Sequence, residues 1–277
     1  MSDRRLTPAT DRVILSSAVA DADARRVTQG EPARIGVALA ELLAAPAGKR
    51  DRQLVFGADV TVIERRDGWA FVQASRDGYC GWVATSDLTD GQARITHRVS
   101  APETHIYPAP DMKTRETGWL PMNARLTVDK VQGRFARLAT GGWVPVQAIA
   151  EGFATDPVAT AESLLGTPYL WGGNSRHGID CSGLMQAALF ACGMSCPGDA
   201  DLQQAAFEPV EQAQRGDLLF WPGHVAMACG DGRMIHATAW QMRVIHEDIA
   251  SAIARIDAAG EGPFRGARRP VGAVLEM

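Results

Sequence analysis

The chain has 277 residues, of which 46% are apolar and 22% charged, with 28 Gly and 15 Pro. This length and composition suit two or three compact units and exclude a disordered, collagenous or coiled-coil protein. The 28 Lys and Arg residues against 32 Asp and Glu residues leave a net charge of -4, so we expect no nucleic-acid partner.

Neither a membrane span nor a secretory signal is expected. No stretch of the sequence approaches the roughly 18 to 20 consecutive apolar residues that cross a bilayer. Charges recur through the N-terminal segment, at Arg4, Arg5, Asp11 and Arg12, where a signal peptide needs an apolar core. We therefore expect a cytoplasmic protein without membrane insertion, unless a signal was removed. The five cysteines form an odd set without a dense pattern, so at least one thiol should be free.

An internal repeat follows an N-terminal extension that we place at residues 1–30. Three segments of one copy align with three of the other, the first two at an offset of 66 residues and the third at 61: 60–62 with 126–128, 69–72 with 135–138, and 81–83 with 142–144. Both copies alternate Val, Trp and Phe with Gly-containing turns, which is typical of short strands. We predict one small β-barrel at residues 31–92 and a second at 93–150.

The tip of one hairpin differs between the two copies. The second copy lacks five residues there, and Tyr79 lies in the longer tip of the first copy. A solvated turn residue and a functional aromatic group both fit that position. Trp82 and Trp143 are interpreted as side chains of the two barrel cores.

Residues 151–277 change to a helix-then-sheet pattern. A helix is predicted to start at Asp156-Pro157 and to end at Gly166, and a second helix, with an apolar stripe, is predicted over 181–191. Four strands follow, at 218–221, 224–229, 233–238 and 243–246. This order indicates an α+β domain.

Cys181 is the candidate nucleophile, because Asp180-Cys181-Ser182-Gly183 stands where a loop becomes a helix. The helix dipole and the free backbone amides at that position favour a thiolate, so we expect the pKa of Cys181 to lie below about 8.5. The same amides can stabilise an oxyanion. The competing interpretation is a buried cysteine that only packs.

His224 and His236 are the candidates for a general base and its orienting partner. They lie in consecutive predicted strands. If residues 230–232 form the loop between them, residue 226 pairs with residue 236 and both histidines share one face as diagonal neighbours. A two-residue turn at Asp231-Gly232 would shift the register by one and place the rings on opposite faces. If the two rings lie on one face, they can form a hydrogen bond. The general base of a thiol nucleophile needs such an orienting partner.

Five motifs in chain order resemble the motif series of the NlpC/P60 cysteine peptidases: Tyr169-Leu170-Trp171-Gly172-Gly173, Asp180-Cys181-Ser182-Gly183, Gly216-Asp217-Leu218-Leu219-Phe220, Gly223-His224-Val225 and Ile235-His236-Ala237. The Gly-Trp-containing repeats resemble bacterial SH3-like domains. The resemblance implies a papain-like NlpC/P60 domain preceded by two small SH3-like β-barrels. It further implies a γ-D-glutamyl-L-diamino acid endopeptidase that cleaves short murein peptides with a free N-terminal L-Ala during cell-wall recycling.

The same resemblance implies roles for individual residues. Cys181 would be the nucleophile, His224 the general base and later acid, and His236 the residue that orients His224. Tyr169 would line the site near the oxyanion position. Asp180 and Ser182 would contact the substrate, with Asp180 holding the L-Ala ammonium.

The resemblance also points to a lid supplied by the first SH3-like module. Tyr79 would be its aromatic residue and Asp51 its acid. Relatives often carry a serine where this chain has Ala200, so recognition of a substrate carboxylate is in doubt there. We expect no metal, no cofactor and a monomer. The alternatives are a hydrolase of intact peptidoglycan and a non-catalytic wall-binding protein.

Overall fold

The computed structural model of the protein describes residues 3–19, 24–91 and 93–271. The predicted boundary between the two barrels at residue 92, and the outer ends of the predicted domains at residues 1 and 277, lie outside these ranges. Within them, no helix is both long enough and apolar enough to cross a membrane.

The N-terminal extension packs on the first repeat. Its elements are two 3-10 turns, Arg4–Leu6 and Ser16–Ala18, and two parallel strands, β1 (Val13–Leu15) and β2 (Arg26–Thr28). Val13 and Leu15 are buried in a cluster that includes Phe71 and Trp82 of the first repeat. This burial of apolar surface anchors the extension.

In the described part of the chain, the first repeat forms a seven-stranded antiparallel sheet with the order β5-β4-β8-β7-β6-β3-β9. Its strands are β3 (Glu31–Ile35), β4 (Leu39–Leu43), β5 (Arg50–Val55), β6 (Asp59–Arg66), β7 (Trp69–Ala74), β8 (Cys80–Ala84) and β9 (Leu88–Asp90), with a 3-10 turn at Thr85–Asp87. Inward-facing Val62, Val72 and Val83 form its core together with Tyr79. Tyr79 is only 1% exposed, so the solvated-turn interpretation of this residue is wrong.

The second repeat has shorter strands. They are β10 (His97–Val99), β11 (Glu103–Ile106), β12 (Gly118–Pro121), β13 (Arg125–Leu126), β14 (Val128–Gln132), β15 (Phe135–Leu138), β16 (Trp143–Pro145) and β17 (Ile149–Ala150), with a 3-10 turn at Val146–Ala148. β14, β15 and β16 pair as β6, β7 and β8 do. Both copies also carry a β-bulge at the same position, after Val62 and after Val128. The bulge, which re-aims a strand, is thus part of the repeat. A second SH3-like domain at 93–150 stays a prediction.

The third region places helices on both faces of an antiparallel sheet. Its helices are α1 (Pro157–Glu162), α2 (Cys181–Ala191), α3 (Ala200–Ala206) and α4 (Ile249–Ala258). Its strands are β18 (Asn174–Ser175), β19 (Gly178–Ile179), β20 (Glu208–Val210), β21 (Leu218–Trp221), β22 (His224–Gly230), β23 (Arg233–Thr238), β24 (Arg243–Asp248) and β25 (Ala267–Arg269). Among the residues described, six of these strands form one sheet in the order β20-β25-β21-β22-β23-β24.

The apolar faces of α2 and α4 bury the two sides of this sheet. Leu184 and Ala188 of α2 pack in one core with Val225 and Ile235, and α4 packs in a separate core with Leu219, Ala226 and Met234. Alternation along the strands accounts for the two cores. The predicted helix at 181–191 is confirmed, α1 is shorter than predicted, and α3, α4, β20 and β25 were not predicted.

The β22–β23 hairpin has the predicted register, although its turn is the two-residue alternative that was expected to shift that register. Asp231 and Gly232 form a two-residue turn with positive φ angles of 49° and 71°, as a type I′ turn requires. A β-bulge at Cys229 then adds one residue to β22, so that Met227 pairs with Ile235. The predicted three-residue loop is wrong. The bulge restores the predicted register beyond it, which puts the two histidines on one face.

A buried polar network joins the first repeat to α2. The Arg52 guanidinium donates to the Asp77 carboxylate and to the Gln186 side chain. Gln186 donates to Asp77 at 2.9 Å and to the Cys196 carbonyl at 2.8 Å. Charges withdrawn from water need such partners. Because Asp77 belongs to the hairpin tip that carries Tyr79, the network holds this tip beside α2.

Candidate active site

Cys181 lies at the first turn of α2 and lines a cleft of about 390 Å³. The residue is 7% exposed, and its Sγ lies 4.0 Å from the carbonyl oxygen of Gly223. The Asp180 side chain caps the helix by accepting a hydrogen bond from the Gly183 amide at 2.7 Å. The sulfur is therefore buried among protein atoms but reachable from the cleft.

The pKa of Cys181 moves in the direction opposite to the one predicted. Burial and the neighbouring Asp180 charge raise this pKa to about 12, and the backbone amides of Val225, Ser182 and Cys181 itself offset the rise only in part. Desolvation disfavours the charged form more than the helix terminus favours it. The predicted lowering is wrong, and the resting thiol is protonated at neutral pH.

His224, at the start of β22, and His236, in β23, form a hydrogen-bonded pair. His224 Nε2 lies 2.9 Å from His236 Nδ1, and the ring centroids are 5.2 Å apart. Burial lowers the pKa of His224 to about 3, helped by the neighbouring His236 and Arg255. Burial and then Arg255 lower the pKa of the fully buried His236 to about 4. Both rings are neutral at pH 7, so each has one N–H and one lone pair.

Glu247, which the sequence reasoning did not identify, continues this chain of contacts. Its Oε2 lies 3.1 Å from His236 Nε2, a close approach whose N–H direction is not well aligned. Arg255 of α4 donates from Nε and Nη2 to both carboxylate oxygens, at 2.9 Å and 2.8 Å. Glu247 is thus held as a charged acceptor that faces the second imidazole.

Three other predicted site residues surround the start of α2. Tyr169, half-buried, lines the cleft, and burial raises the pKa of its hydroxyl. The Ser182 hydroxyl donates to Asp180 Oδ1 at 3.0 Å. Asp180 Oδ2 accepts from the Gly172 amide at 2.7 Å. Both Asp180 oxygens therefore support the helix and the neighbouring loop, and its role as an ammonium ligand stays a prediction.

The first repeat brings Tyr79 and Asp51 to the same cleft. The Tyr79 hydroxyl donates to Asp199 Oδ2 at 2.9 Å. A Cβ atom at Gly198 would lie 2.8 Å from the Tyr79 ring, so a glycine is needed where that ring packs. Both oxygens of Asp51 accept from the Arg4 guanidinium at 2.7 Å.

These contacts define a second set of cleft residues, which we call the charged group. Its members are Asp3, Arg4, Arg5, Asp51, Tyr79, Asp199 and Asp201. Asp199 has a φ of 57°, a backbone conformation that costs a residue with a side chain about 1–3 kcal/mol and often marks a functional site. Sequence reasoning missed Arg4, Arg5 and Asp199 as site residues. Arg5 and Asp199 are 194 positions apart, and no local pattern signals such a contact.

A separate trio away from this cleft has the chemistry of metal ligands. Glu162, Cys229 and His246 offer ligand atoms within 4.8 Å of one another. His246 Nε2 already lies 3.1 Å from Glu162 Oε1, so a hydrogen bond accounts for the approach of these two residues.

Comparisons with known proteins agree with this arrangement. Residues 166–255 match the model of the NlpC/P60 family, and residues 42–88 match that of the bacterial dipeptidyl-peptidase SH3 domain. The chain is 33% identical to the γ-D-glutamyl-L-lysine dipeptidyl-peptidase of Bacillus subtilis over 67% of this chain and 71% of that protein. It is 30% identical to dipeptidyl-peptidase 6 of Lysinibacillus sphaericus over 67% of this chain and 79% of that protein.

A solved structure shows the same fold. The crystal structure of an NlpC/P60 family protein from Bacillus cereus superposes with a TM-score of 0.73 at 24% identity, covering 87% of this chain and 99% of that one. The predicted fold class, an NlpC/P60 domain with an SH3-like domain before it, is confirmed. With its sequence similarity spanning more than two thirds of the Bacillus subtilis peptidase, the chain belongs to the NlpC/P60 cysteine peptidase family.

Proposed function

We propose that the protein hydrolyses the bond between γ-D-glutamate and the following diamino acid in short murein peptides with a free N-terminal L-Ala. The observation that carries the proposal is one cleft lined by Cys181 and by the charged group. The Cys181 sulfur approaches the carbonyl of Gly223, the residue before His224, and His224 pairs with His236. The name of the similar Bacillus subtilis enzyme, a γ-D-glutamyl-L-lysine dipeptidyl-peptidase, supports the same bond.

The arrangement of lone pairs supports His224 as the base. A carboxylate only accepts, so Glu247 favours the tautomer of His236 that carries its proton on Nε2. His236 Nδ1 then accepts from His224 Nε2–H. This leaves the lone pair on His224 Nδ1 free to take the proton of the Cys181 thiol.

The chemistry then runs through an acyl-enzyme. Because thiol and imidazole are both neutral at rest, proton transfer to His224 accompanies attack of the sulfur on the γ-carbonyl carbon rather than preceding it. Amides at the start of α2 stabilise the oxyanion. His224 returns the proton to the departing amine of the diamino acid, and water then hydrolyses the thioester to release the dipeptide and regenerate the thiol.

The charged group supports a substrate with a free amino group. Among the described residues of this group, four Asp stand against two Arg, which leaves a formal surplus of two negative charges. An ammonium group balances part of this surplus. In a peptide still joined to glycan, the L-Ala nitrogen is a neutral amide, so released peptides fit better.

The cellular setting and the domain limits are part of the proposal. We infer that the protein recycles cell-wall peptides in the cytoplasm, as a monomer without a cofactor. We also propose that it is divided into an N-terminal extension (1–30), two SH3-like barrels (31–92 and 93–150) and the peptidase domain (151–277). The shared bulge and strand pairing of the two repeats support the second barrel.

Incubation with L-Ala-γ-D-Glu-L-Lys and with its diaminopimelate counterpart tests the function. We expect L-Ala-D-Glu and the free diamino acid by mass spectrometry, and neither product with Cys181→Ala. An N-acetyl cap on L-Ala should reduce turnover. Release of peptides from intact murein at a similar rate would favour the wall hydrolase, and murein binding without any cleavage would favour the wall-binding protein.

A further inference from the structure

The N-terminal segment Asp3–Leu6 forms part of the wall of the substrate cleft. Asp3, Arg4 and Arg5 line the cleft together with Cys181, although neither family model extends to them. Asp3 caps the 3-10 turn by accepting from the Arg5 amide at 2.9 Å. The turn runs into buried Pro8 and then into β1, which is anchored on the first repeat. The segment is therefore held in place before any substrate binds.

Arg5 links this segment to the start of α3. Its Nη1 donates to Asp199 at 2.7 Å and to Asp201 at 2.9 Å, and its Nη2 donates to Asp201 and Asp3 at 2.6 Å each. Its Nε lies 3.1 Å from both oxygens of Asp3. All five N–H groups of the guanidinium thus face carboxylates. A planar fork with five donors suits this bridging better than an ammonium would.

Asp199 is the residue that this link constrains. One of its oxygens, Oδ2, accepts from both Arg5 and the Tyr79 hydroxyl, and its backbone has the unfavourable φ of 57°. Without Arg5, three carboxylates would face one another with no cation between them. Their repulsion and the release of the strained backbone would both move Asp199 away from Tyr79.

The segment lines the cleft without filling it. With Arg5 in place the cleft retains about 390 Å³, within the range of roughly 300–1,000 Å³ that is usual for small-molecule sites. Arg4, paired with Asp51, fixes the opposite part of the charged group in the same way. The surplus of negative charge also remains. An inhibitory plug would instead neutralise the charge and occupy the space.

We propose that Arg5 is a positioning residue of the substrate cleft: it ties the N-terminal segment to α3 and holds the Asp199 carboxylate beside Tyr79, where it meets the free amino group of the substrate. The role of Asp199 toward that amino group rests on the proposed function. The tie through Arg5 is the new element, and it makes the N-terminal segment a determinant of specificity.

The test compares Arg5→Gln with wild type on L-Ala-γ-D-Glu-L-Lys and on its N-acetyl form. We expect KM for the free-amine peptide to rise about 10- to 100-fold, the range of a lost charge-assisted contact, while kcat changes less than about threefold. The preference for the free amine over the acetylated peptide should shrink by a similar factor. Arg5→Lys keeps the charge but cannot bridge three carboxylates. Its KM and its preference should lie between those of wild type and Arg5→Gln.

Arg12→Gln is the matched control, because Arg12 lies on the same extension with its side chain 66% exposed and outside the cleft residues. The Arg12→Gln variant should have the same KM and kcat as wild type. If Arg5→Gln does not fold, Asp201→Asn removes one partner of Arg5 from an exposed position and should raise KM severalfold with the same loss of preference.

Three results would overturn the inference. Unchanged KM and preference in Arg5→Gln would show that the tie does not shape the cleft, and a lower KM with higher turnover would show that the segment is a plug. An equal loss on both peptides would point to a merely structural role and would also contradict it. Failure of the wild type to cleave either peptide would instead defeat the proposed function.

Discussion

The proposed catalytic residues and the charged group are built in opposite ways, although Cys181 lines the same cleft as the charged group. Cys181, His224 and His236 come from one helix and two adjacent strands of a single sheet domain, and burial keeps all three neutral. The charged group joins the N-terminal segment, the first repeat and the start of α3 through ion pairs. We infer that the first set performs chemistry on any acyl group presented to it. The second set selects what is presented.

Removal of the nucleophile should separate the two functions most sharply. Cys181→Ala should lower kcat by about 10⁴-fold or more, because the acyl-enzyme can no longer form. Binding of the substrate tripeptide, measured by calorimetry, should persist. Cys192→Ser is the matched control, since Cys192 lies just beyond the opposite end of the same helix. Residual turnover within tenfold of wild type would contradict the assignment of Cys181.

Glu247→Gln should give the next largest effect. An amide can donate as well as accept, so it no longer fixes the His236 tautomer, and we expect kcat to fall about 10- to 100-fold with little change in KM. Glu162→Gln is the control, because Glu162 contacts His246 at the same 3.1 Å outside the cleft. A drop in melting temperature with unchanged kcat would show that Glu247 only stabilises the fold.

The pH profile tests whether burial keeps the histidines neutral. With the pKa of His224 lowered to about 3 and that of His236 to about 4, kcat/KM should stay nearly constant from pH 7 to pH 5. If the base had the ordinary histidine pKa of about 6.5, kcat/KM would fall about 25-fold over that interval. A midpoint at pH 6.5 or above would contradict the neutral pair.

The same shifts fix the sign of the stability change. Between the folded pKa values of about 3 and 4 and the unfolded value near 6.5, the unfolded chain binds more protons than the folded one. The free energy of unfolding should therefore fall as the pH drops through this window. Denaturant unfolding at pH 7 and pH 5 measures the change.

The placement of Cys181 at a helix start and of His224 beside His236 was predictable because the signals are local. Cys181 stands at a predictable loop-to-helix junction, and the two histidines follow from strand alternation. The bulge at Cys229, which offsets the register shift of the type I′ turn, had no such signal. The predicted register was therefore right although the predicted turn was wrong. The predicted direction of the Cys181 pKa shift was wrong because a helix terminus can be recognised in a sequence, whereas desolvation depends on the packed fold.

Sequence reasoning also missed helix α4 and the contact between Arg5 and Asp199, for two different reasons. Helix α4 has a readable pattern, with Asp248 as its cap and Ile249, Ala252 and Ile256 on one face, so periodicity alone could have identified it. The contact between Arg5 and Asp199 spans 194 positions and depends on the extension, the first repeat and α3 all being in place. Only the tertiary structure shows it.

Tyr79→Phe should have the smallest effect and gives the finest test of the division between the two sets. It removes the hydroxyl that donates to Asp199 but leaves the ring packed against Gly198 and the tie through Arg5 intact. One hydrogen bond to a charged group is worth about 1.5–3 kcal/mol. Because Arg5 still holds Asp199, we expect an effect at the lower end of this range, which is a rise in KM of about tenfold with kcat unchanged. Tyr107→Phe, in the second repeat, is the control. A loss in kcat instead would mean that the charged group also positions the scissile bond, so that selection and chemistry would not be separable in this cleft.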